Sequence, residues 1–468
     1  MPHSLRSFLE GLDNRLLRID DEVDPVNQVG ILCSDSTGPV IFNNLKGYPG
    51  WRLTDILVKN RSDQGSALGV TEIGEVCPEL ARRMARGPGK SVLVVDGPVK
   101  EVKLLGDDAN IHELPIPIHS QGDVARYLGS GLTITKDPET GVRNEAIIRT
   151  MLTDDPRICS FSMAYRHNWL HYVKYAERGE PMPMAYAIGL HPAYEIMSNW
   201  SGRHEGYDEL EFAAGILGED VEMVKCETID LEVPAHAEVV IEGLVHPTDR
   251  MDEGPFGEFT NYAGGSAGPA PIFTISAITH RKDPIFRHMQ AVRFTDHQPL
   301  ITLPMEATYY NRLRETQGDT NIIDVFVPPW ASQFTMIVQM EARFDGQARD
   351  VLLSALLGPN VHVKVAIAVD EDVDIYNAEE VLWAISTRFN PEIDAIVIPH
   401  ERLHPLDISI PDSGGYEKRM RIGGKMAMDC TKPATGRKEA RAEYRRVDPM
   451  GDEDPTIQAI REMVRRPR

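Results

Sequence analysis

Residues 131–152 read GLTITKDPETGVRNEAIIRTML, and this segment indicates an antiparallel sheet. Two stretches rich in apolar and β-branched residues, 131–135 and 144–152, flank a turn sequence at 137–141. The order strand, turn and strand predicts a β-hairpin.

A second apolar pair, 271–279 and 284–288, is joined by three polar residues and predicts another hairpin. Helical segments near 167–178 and 207–217 interrupt these strands. We therefore expect the middle of the chain to be mainly antiparallel sheet with inserted helices, forming a barrel.

Strands and helices alternate on both sides of this section. Before it, strands are predicted at 40–42, 55–58 and 91–95, with a helix at 78–84 and a proline-rich linker at 114–118. After it, a strand at 363–369, a helix at 379–388 and a strand at 395–398 predict a parallel strand pair. A terminal helix follows Asp454-Pro455, and its apolar stripe is expected to pack on another subunit. The stripe consists of Ile457, Ile460, Met463 and Val464.

These changes in pattern predict a multi-domain protein of mixed α/β and α+β type. We expect an N-terminal α/β domain at 1–115, a β-barrel domain at 116–300, a C-terminal α/β domain at 301–445, and a helix for oligomer contacts at 446–468.

The charge balance excludes some classes of partner. The 468 residues carry 71 acidic and 49 basic side chains, a formal net charge of −22. An acidic surface repels nucleic acid and anionic lipid. The five cysteines form no CxxC pair, and the first residues lack the apolar core of a signal peptide. We expect a cytoplasmic protein with reduced thiols and no membrane contact.

The segment DEGPFGE, residues 252–258, is the most informative for chemistry. Its glycines and proline exclude a regular helix, so the backbone can aim Glu253 and Glu258 into one space. Two partly desolvated acids in one site raise the pKa of one of them, which can then deliver a proton near neutral pH. The alternative is a polar loop with two solvated glutamates.

Asn144 and Arg149 lie on one predicted strand. Because they are five residues apart, they face opposite sides of a regular strand, and a shared site requires a bulge or the end of the strand. Arg149 lies among apolar residues and needs an anionic partner, either a glutamate or a substrate carboxylate. A structural ion pair is the alternative.

His167 and His171 share one face at the start of a helix. They could bind a metal, or they could pack as ordinary residues against the neighbouring aromatic side chains. Asparagine, histidine and glutamate together suit Mn²⁺ or Mg²⁺ better than structural zinc.

Six segments in family order resemble the UbiD family of reversible decarboxylases that use prenylated FMN. They are NEAIIR (144–149), with His167 eighteen residues after Arg149, DLEVPAHAEVVIEG (230–243), EGPFGE (253–258), DEDVD (370–374), VLWAISTR (381–388) and GKMAMDCTK (424–432).

The resemblance implies a set of site residues and a central split β-barrel of flavin-reductase type. It implies metal ligands at Asn144, His167 and Glu209, with Glu211 and Glu238 as competitors for the third position. The catalytic group it implies is Arg149, Glu253 and Glu258. Cofactor contacts are implied for Asn144, Ile147, Ile148, Arg149, Arg166, His167, Glu209 and Lys425. Two positions depart from many members of the family, Arg166 and Cys430.

The resemblance also implies cofactors and partners. These are prenylated FMN, Mn²⁺ or Mg²⁺, K⁺ as a further ion, a UbiX-like flavin prenyltransferase that supplies the flavin, and a second copy of the chain in a homodimer or larger homo-oligomer.

The expected activity is the reversible, non-oxidative decarboxylation of an aromatic, heteroaromatic or α,β-unsaturated carboxylic acid. In this reaction Arg149 would hold the substrate carboxylate and Glu258 would protonate the carbon that loses CO2. Two alternatives stay open: an FMN-dependent reductase and a non-catalytic subunit that binds the cofactor.

Overall fold

The structure is a computed structural model that describes residues 3–162, 167–200, 206–264, 268–292, 295–316, 321–358, 360–411 and 421–447, with 456–457, 460–461 and 463. The α-helices of these residues are α1 (Leu5–Gly11), α2 (Val29–Asp35), α3 (Arg61–Leu68), α4 (Val76–Arg86), α5 (His167–Glu177), α6 (Pro192–Met197), α7 (Glu209–Leu217), α8 (His297–Thr316), α9 (Gln347–Leu356), α10 (Ala378–Arg388) and α11 (Lys438–Ala442).

The strands of the first half are β1 (Leu17–Ile19), β2 (Val40–Phe42), β3 (Arg52–Asp55), β4 (Ser91–Leu93), β5 (Val102–Leu105), β6 (Tyr127–Leu128), β7 (Leu132–Lys136), β8 (Arg143–Ile147), β9 (Thr150–Leu152), β10 (Ile158–Phe161), β11 (Met182–Ile188), β12 (Val221–Lys225) and β13 (Glu232–Pro234). Those of the second half are β14 (Val239–Glu253), β15 (Phe256–Gly257), β16 (Ala263–Gly264), β17 (Gly268–His280), β18 (Ile285–Arg287), β19 (Ile322–Phe326), β20 (Thr335–Met340), β21 (Val365–Val369), β22 (Ala395–Leu403) and β23 (Arg421–Cys430).

A large curled sheet dominates the middle of the chain. Its strand order in the described residues is β6-β9-β10-β17-β14-β11-β7-β8, and β5 pairs with β17 as well. The two longest strands, β14 and β17, pair antiparallel with two irregularities in register, and such irregularities bend a sheet. The predicted mixed α and β architecture is therefore confirmed, and in place of the predicted barrel the structure shows a curled sheet.

The central sheet separates two apolar clusters. Along β11, Ala185 and Ala187 face one cluster, whereas Met184, Tyr186 and Ile188 face the other. This period of two is the alternation expected for a strand that is buried on both sides. The central sheet is consequently packed with apolar side chains on both of its faces.

The predicted hairpin at 131–152 is confirmed in its first part. β7 and β8 pair antiparallel, from Leu132 opposite Ile147 to Lys136 opposite Arg143. The second predicted strand is not continuous, because Ile148 and Arg149 lie outside the ladder and the chain resumes as β9, which pairs with β6 and β10.

The predicted hairpin of 271–279 with 284–288 is wrong. β18 leaves the central sheet and pairs in parallel with β3, in a separate sheet of order β1-β2-β3-β18. Arg287 explains this route, since its guanidinium is fully buried 3.2 Å from Asp55 and 3.0 Å from Glu195. A buried arginine must reach its carboxylates, and these lie away from β17.

The predicted parallel pair in the C-terminal part is also wrong. The sheet there has the order β19-β20-β21-β23-β22, so β23 lies between the two predicted strands. β21 is parallel to β23, whereas β22 is antiparallel to it. The glycine pair at the start of β23 concealed this strand in the sequence.

The terminal helix predicted beyond residue 454 lies mostly outside the described residues. Ile457, Ile460 and Met463 are described, and they are helical and exposed. In the described part of the chain, we find no helix long and apolar enough to cross a membrane.

Candidate active site

The candidate site is built around the interruption between β8 and β9. Asn144 lies within β8, and Arg149 lies in the two-residue gap before β9. A site shared by Asn144 and Arg149 requires such an interruption, because on a regular strand the two side chains would face opposite sides.

Arg149 joins the two glutamates of the DEGPFGE segment. Its Nε donates to Oε1 of Glu253 at 2.9 Å and its Nη2 donates to Oε2 at 3.2 Å, a bidentate pair. Its Nη1 donates to Oε1 of Glu258. The exposed fraction of the side chain is 25% for Arg149 and 9% for each glutamate. The alternative of two solvated glutamates is therefore wrong.

The charges in this group shift two pKa values in a defined direction. Burial opposes the charge of Arg149, but the carboxylates of Glu258 and Glu253 outweigh it and raise the pKa of the guanidinium. Burial raises the pKa of Glu258, and the charge of Arg149 opposes that shift, while Glu253 and Asp123 add to it. The site thus combines a permanent cation with an acid that is easier to protonate than a solvated glutamate.

The loop that carries the glutamates is fixed at several points. Glu253 ends β14, and Gly254 takes a φ of +95°, a conformation that favours glycine and turns the chain out of the strand. The backbone N–H of Gly257 donates to Oδ1 of Asp123 at 2.7 Å. The ring of Phe256 lies under the guanidinium of Arg149, with its centroid 4.7 Å from Cζ.

A second polar group surrounds Asn144. Its Oδ1 lies 3.1 Å from Nδ1 of His167, the first residue of α5, and its amide donates to Oδ1 of Asn168. Asn168 in turn donates to Thr133 at 3.0 Å. The network orients the amide of Asn144 so that its oxygen faces His167.

His171 is directed elsewhere. Its Nδ1 lies 2.9 Å from Oγ1 of Thr135, and burial lowers its pKa to about 4. His171 is therefore part of the buried network under the sheet, as the packing alternative predicted.

Glu209 lies at the strand that carries Asn144. Its Oε2 accepts the backbone N–H of Glu145 at 2.9 Å, and the backbone N–H of Glu209 donates to Oε2 of Glu145 at 2.9 Å. This reciprocal pair ties the N-terminus of α7 to β8. Burial raises the pKa of Glu209 to about 7.

The two competitors for the third ligand have other partners. Oε1 of Glu211 accepts from Oγ of Ser91 at 2.7 Å. Both oxygens of Glu238 accept from Arg6, at 2.8 and 2.9 Å. Glu209, Glu211 and Glu238 thus each accept hydrogen bonds from the protein, and Glu209 as the third ligand stays a prediction.

The donor set suits a divalent cation. An amide oxygen from Asn144, an imidazole nitrogen from His167 and a carboxylate from Glu209 are ligands that Mn²⁺ or Mg²⁺ accepts. Within the described ranges, no group of three or more His, Cys, Asp or Glu side chains is placed to hold a metal ion.

The remaining predicted cofactor contacts are only partly gathered here. Ile147 and Ile148 are half-buried at the strand interruption, beside Arg149. Lys425 lies on β23, where its ammonium donates to the carbonyl of Leu356 at 2.7 Å, and it is not hydrogen-bonded to Asn144 or His167. Arg166 lies outside the described residues.

Sequence reasoning missed three residues that support the site, Phe256, Glu145 and Asn168. Glu145 lies next to Asn144 on β8, but its partner is Glu209 at the start of α7, far along the chain, and no local pattern in the sequence shows that contact. Phe256 lies inside the quoted motif, but its contact with Arg149 depends on the loop's conformation and gives no pattern in sequence.

Known families and structures resemble this chain throughout its length. The family model for the 3-octaprenyl-4-hydroxybenzoate carboxy-lyase Rift-related domain (UbiD) matches residues 90–293, and the model for the C-terminal domain of the same enzyme (UbiD_C) matches residues 298–430.

Three solved structures illustrate the similarity. The UbiD-class enzyme HmfF from Pelotomaculum thermopropionicum, in complex with FMN, is 31% identical with a TM-score of 0.88, covering 98% of this chain and 100% of that one. The apo 3,4-dihydroxybenzoic acid decarboxylase from Enterobacter cloacae is 26% identical with a TM-score of 0.88, covering 98% and 99%. The vanillic acid decarboxylase from Sedimentibacter hydroxybenzoicus, in its closed form, is 27% identical with a TM-score of 0.80, covering 100% of both chains. Since the two family models span most of the sequence and HmfF matches nearly all of it, this chain belongs to the UbiD family of carboxy-lyases.

Proposed function

We propose that this protein catalyses the reversible, non-oxidative decarboxylation of an aromatic, heteroaromatic or α,β-unsaturated carboxylic acid with prenylated FMN. The observation that carries the proposal is the mostly buried group in which Arg149 joins Glu253 and Glu258. A guanidinium beside an acid with a raised pKa supplies the two functions that a decarboxylase needs, a carboxylate anchor and a proton donor. We favour an aromatic acid, because two of the solved relatives are named for aromatic acids.

Most of the residues that would hold the cofactor lie on β8 or beside it. Asn144, His167 and Glu209 would bind Mn²⁺ or Mg²⁺ at the flavin phosphate, and Ile147, Ile148, Arg149, Arg166 and Lys425 would contact the flavin, with K⁺ as a further ion. When bound, prenylated FMN supplies the electron sink that the loss of CO2 from an unsaturated carbon requires.

Arg149 has the geometry to bind the substrate carboxylate. Its bidentate contact with Glu253 fixes the plane of the guanidinium and keeps it charged. In our proposal the carboxylate of the substrate takes the place of Glu258 on Nη1, which releases Glu258 from its ion pair. Glu253 is then a positioning residue, because it acts through Arg149.

Glu258 supplies the proton. When the bond between the substrate carbon and its carboxylate breaks, CO2 leaves and the electron pair stays with the substrate. A new C–H bond forms with the proton of the Glu258 carboxyl, which becomes a carboxylate. In the reverse direction the same carboxylate removes that proton.

Isotope exchange separates this proposal from the two alternatives. Holoenzyme produced together with a UbiX-like flavin prenyltransferase should exchange labelled bicarbonate into an aromatic acid substrate, without consuming a nicotinamide cofactor. A reductase would consume NAD(P)H and show no exchange. A non-catalytic subunit would neither consume NAD(P)H nor exchange bicarbonate.

We also propose that the central sheet is a split β-barrel of flavin-reductase type and that the protein is a homodimer or larger homo-oligomer.

The rate should depend on pH in opposite ways in the two directions. Glu258 must be protonated for decarboxylation, and its raised pKa places the loss of that proton above the usual range of a glutamate. We expect kcat/KM for decarboxylation to fall as pH rises through this pKa, and carboxylation to rise over the same range. If the rates in both directions fell, or both rose, as the pH increases through this range, the result would contradict the role of Glu258.

Mn²⁺ should stabilise the protein through Glu209. Ligand at a hundredfold excess over its Kd stabilises a native state by roughly 2.7 kcal/mol, so we expect Mn²⁺ to raise the Tm of metal-stripped protein. Glu209→Gln should abolish this rise, because it removes the charged ligand. Glu211→Gln is the matched control, because Glu211 lies on the same helix, two residues after Glu209, and is bonded to Ser91. This variant should keep the increase in Tm on binding Mn²⁺. The opposite result would assign the third ligand to Glu211.

A further inference from the structure

Phe259, the residue after Glu258, belongs to an aromatic cluster that joins two parts of the chain. Its ring centroid lies 5.6 Å from that of His404, 5.9 Å from that of Phe334 and 6.3 Å from that of His362. The two histidine rings are themselves 4.2 Å apart. The side chain of Phe259 is 4% exposed, so the cluster encloses it. We call these four residues the 259 cluster.

The three partners of Phe259 lie at one edge of the C-terminal sheet. Phe334 precedes β20, His362 comes shortly before β21, and His404 follows β22. β20 and β21 are parallel to each other and to β23, whereas β22 is antiparallel to β23. The beginnings of β20 and β21 therefore lie at the same edge as the end of β22, and that edge meets the loop that carries Glu258.

The other side of Glu258 is held by the central part of the chain. Gly257 donates its N–H to Asp123 at 2.7 Å, and a Cβ at Gly257 would lie 2.5 Å from Oγ of Ser120. The carbonyl of Phe259 accepts from Nε2 of Gln298 at 2.7 Å. Glu258 is thus placed between an anchor in the loop that precedes β6 and an anchor at the edge of the C-terminal sheet.

We infer that Phe259 is a positioning residue, through which the C-terminal sheet sets the place of the Glu258 carboxyl relative to Arg149. The inference rests on the proposed role of Glu258 as proton donor. Loss of the aromatic anchor would let the backbone at 258–259 shift, and a displacement of about 1 Å at a reacting group can cost about a hundredfold in rate. Arg149, Glu253 and Asp123 are the charged groups that face Glu258, so a shift of its carboxyl would also change its titration.

The test compares four variants of the holoenzyme. Phe259→Leu keeps an apolar side chain without the ring, and His404→Ala removes the partner from the other side of the contact. We expect each to lower kcat about tenfold to a hundredfold, to change KM little, and to move the alkaline limb of the pH profile. Phe259→Tyr keeps the ring and should retain kcat. The double variant should be no worse than the more impaired single variant, because both break one contact.

Phe326→Leu is the matched control. Phe326 makes a similar aromatic contact with Tyr376, at 4.9 Å, within the C-terminal part and away from the Glu258 loop. It should lower Tm while leaving kcat and the pH profile unchanged. If Phe259→Leu and His404→Ala behave like this control, the inference is overturned.

Glu258→Gln, measured alongside, keeps the two proposals separate. If it turns over like the wild type, the proposed role of Glu258 fails. If it is impaired while the variants of the 259 cluster are not, only the positioning inference fails. Should Phe259→Leu not fold, His404→Ala and Phe259→Tyr decide the question on their own.

Discussion

Glu258→Gln is expected to lower kcat for decarboxylation by about a hundredfold to ten-thousandfold, the usual cost of removing a general acid. Glutamine keeps the size of the side chain and can still accept from Arg149, but it has no acidic proton to give. Burial raises the pKa of Glu258, so its carboxyl holds a proton more readily than a solvated glutamate, and this is the property that glutamine lacks. The measurement is kcat of purified holoenzyme, with the bound flavin quantified by absorbance for each preparation.

Asp252→Asn is the matched control for this variant. Asp252 lies in the same segment, but it is exposed and is not part of the group around Arg149. It should turn over like the wild type with the same flavin content. Wild-type turnover by Glu258→Gln would show that the proton comes from another group or from water.

Much of the site could be predicted because its residues are concentrated in short motifs. Arg149 stands in an apolar stretch, and an arginine there requires a carboxylate partner. The glycines and proline around Glu253 and Glu258 exclude a helix and indicate a loop that can present both acids. The structure brings these three residues together, and it brings His167 to Asn144.

The errors concern contacts between distant parts of the chain. β18 reads as the second strand of a hairpin, but the fully buried Arg287 draws it to Asp55, more than two hundred residues earlier. β23 carries two glycines in its first half, and its place between β21 and β22 depends on pairing that no local pattern reveals. The contact of Glu145 with Glu209 likewise forms only when α7 packs against β8. Local propensity and motif spacing cannot contain this information, because it resides in long-range packing.

The environment of Arg149 also explains why a positive charge alone should not be sufficient to bind the substrate carboxylate at this position. The guanidinium serves two carboxylates at once and stacks on Phe256 with its flat face. A planar group with five donors can do this, whereas an ammonium is a compact charge without a plane. The geometry of the site therefore depends on arginine specifically.

Arg149→Lys should consequently lower kcat/KM by at least about thirtyfold, although it conserves the positive charge. Breaking one partner of a buried, hydrogen-bonded charge pair costs about 2 to 5 kcal/mol, and about 1.4 kcal/mol corresponds to a factor of ten. A lysine cannot keep the bidentate contact with Glu253 and also offer a donor to the substrate carboxylate. We therefore expect KM to rise as well as kcat to fall.

Arg250→Lys provides the comparison, because Arg250 also lies over an aromatic ring, that of Tyr172, with its Cζ 5.4 Å from the centroid. Arg250 is exposed, and its guanidinium donates to the backbone carbonyls of Pro247 and Asp249. That substitution should leave kcat/KM unchanged, which separates the loss of stacking from the loss of the carboxylate clamp. If Arg149→Lys retained wild-type kcat/KM, a point charge would be enough to bind the substrate, and the bidentate pair with Glu253 would have no part in the reaction. If both variants were impaired to the same degree, the stacking on the ring would matter more than the carboxylates, and the proposed anchor for the substrate would be wrong.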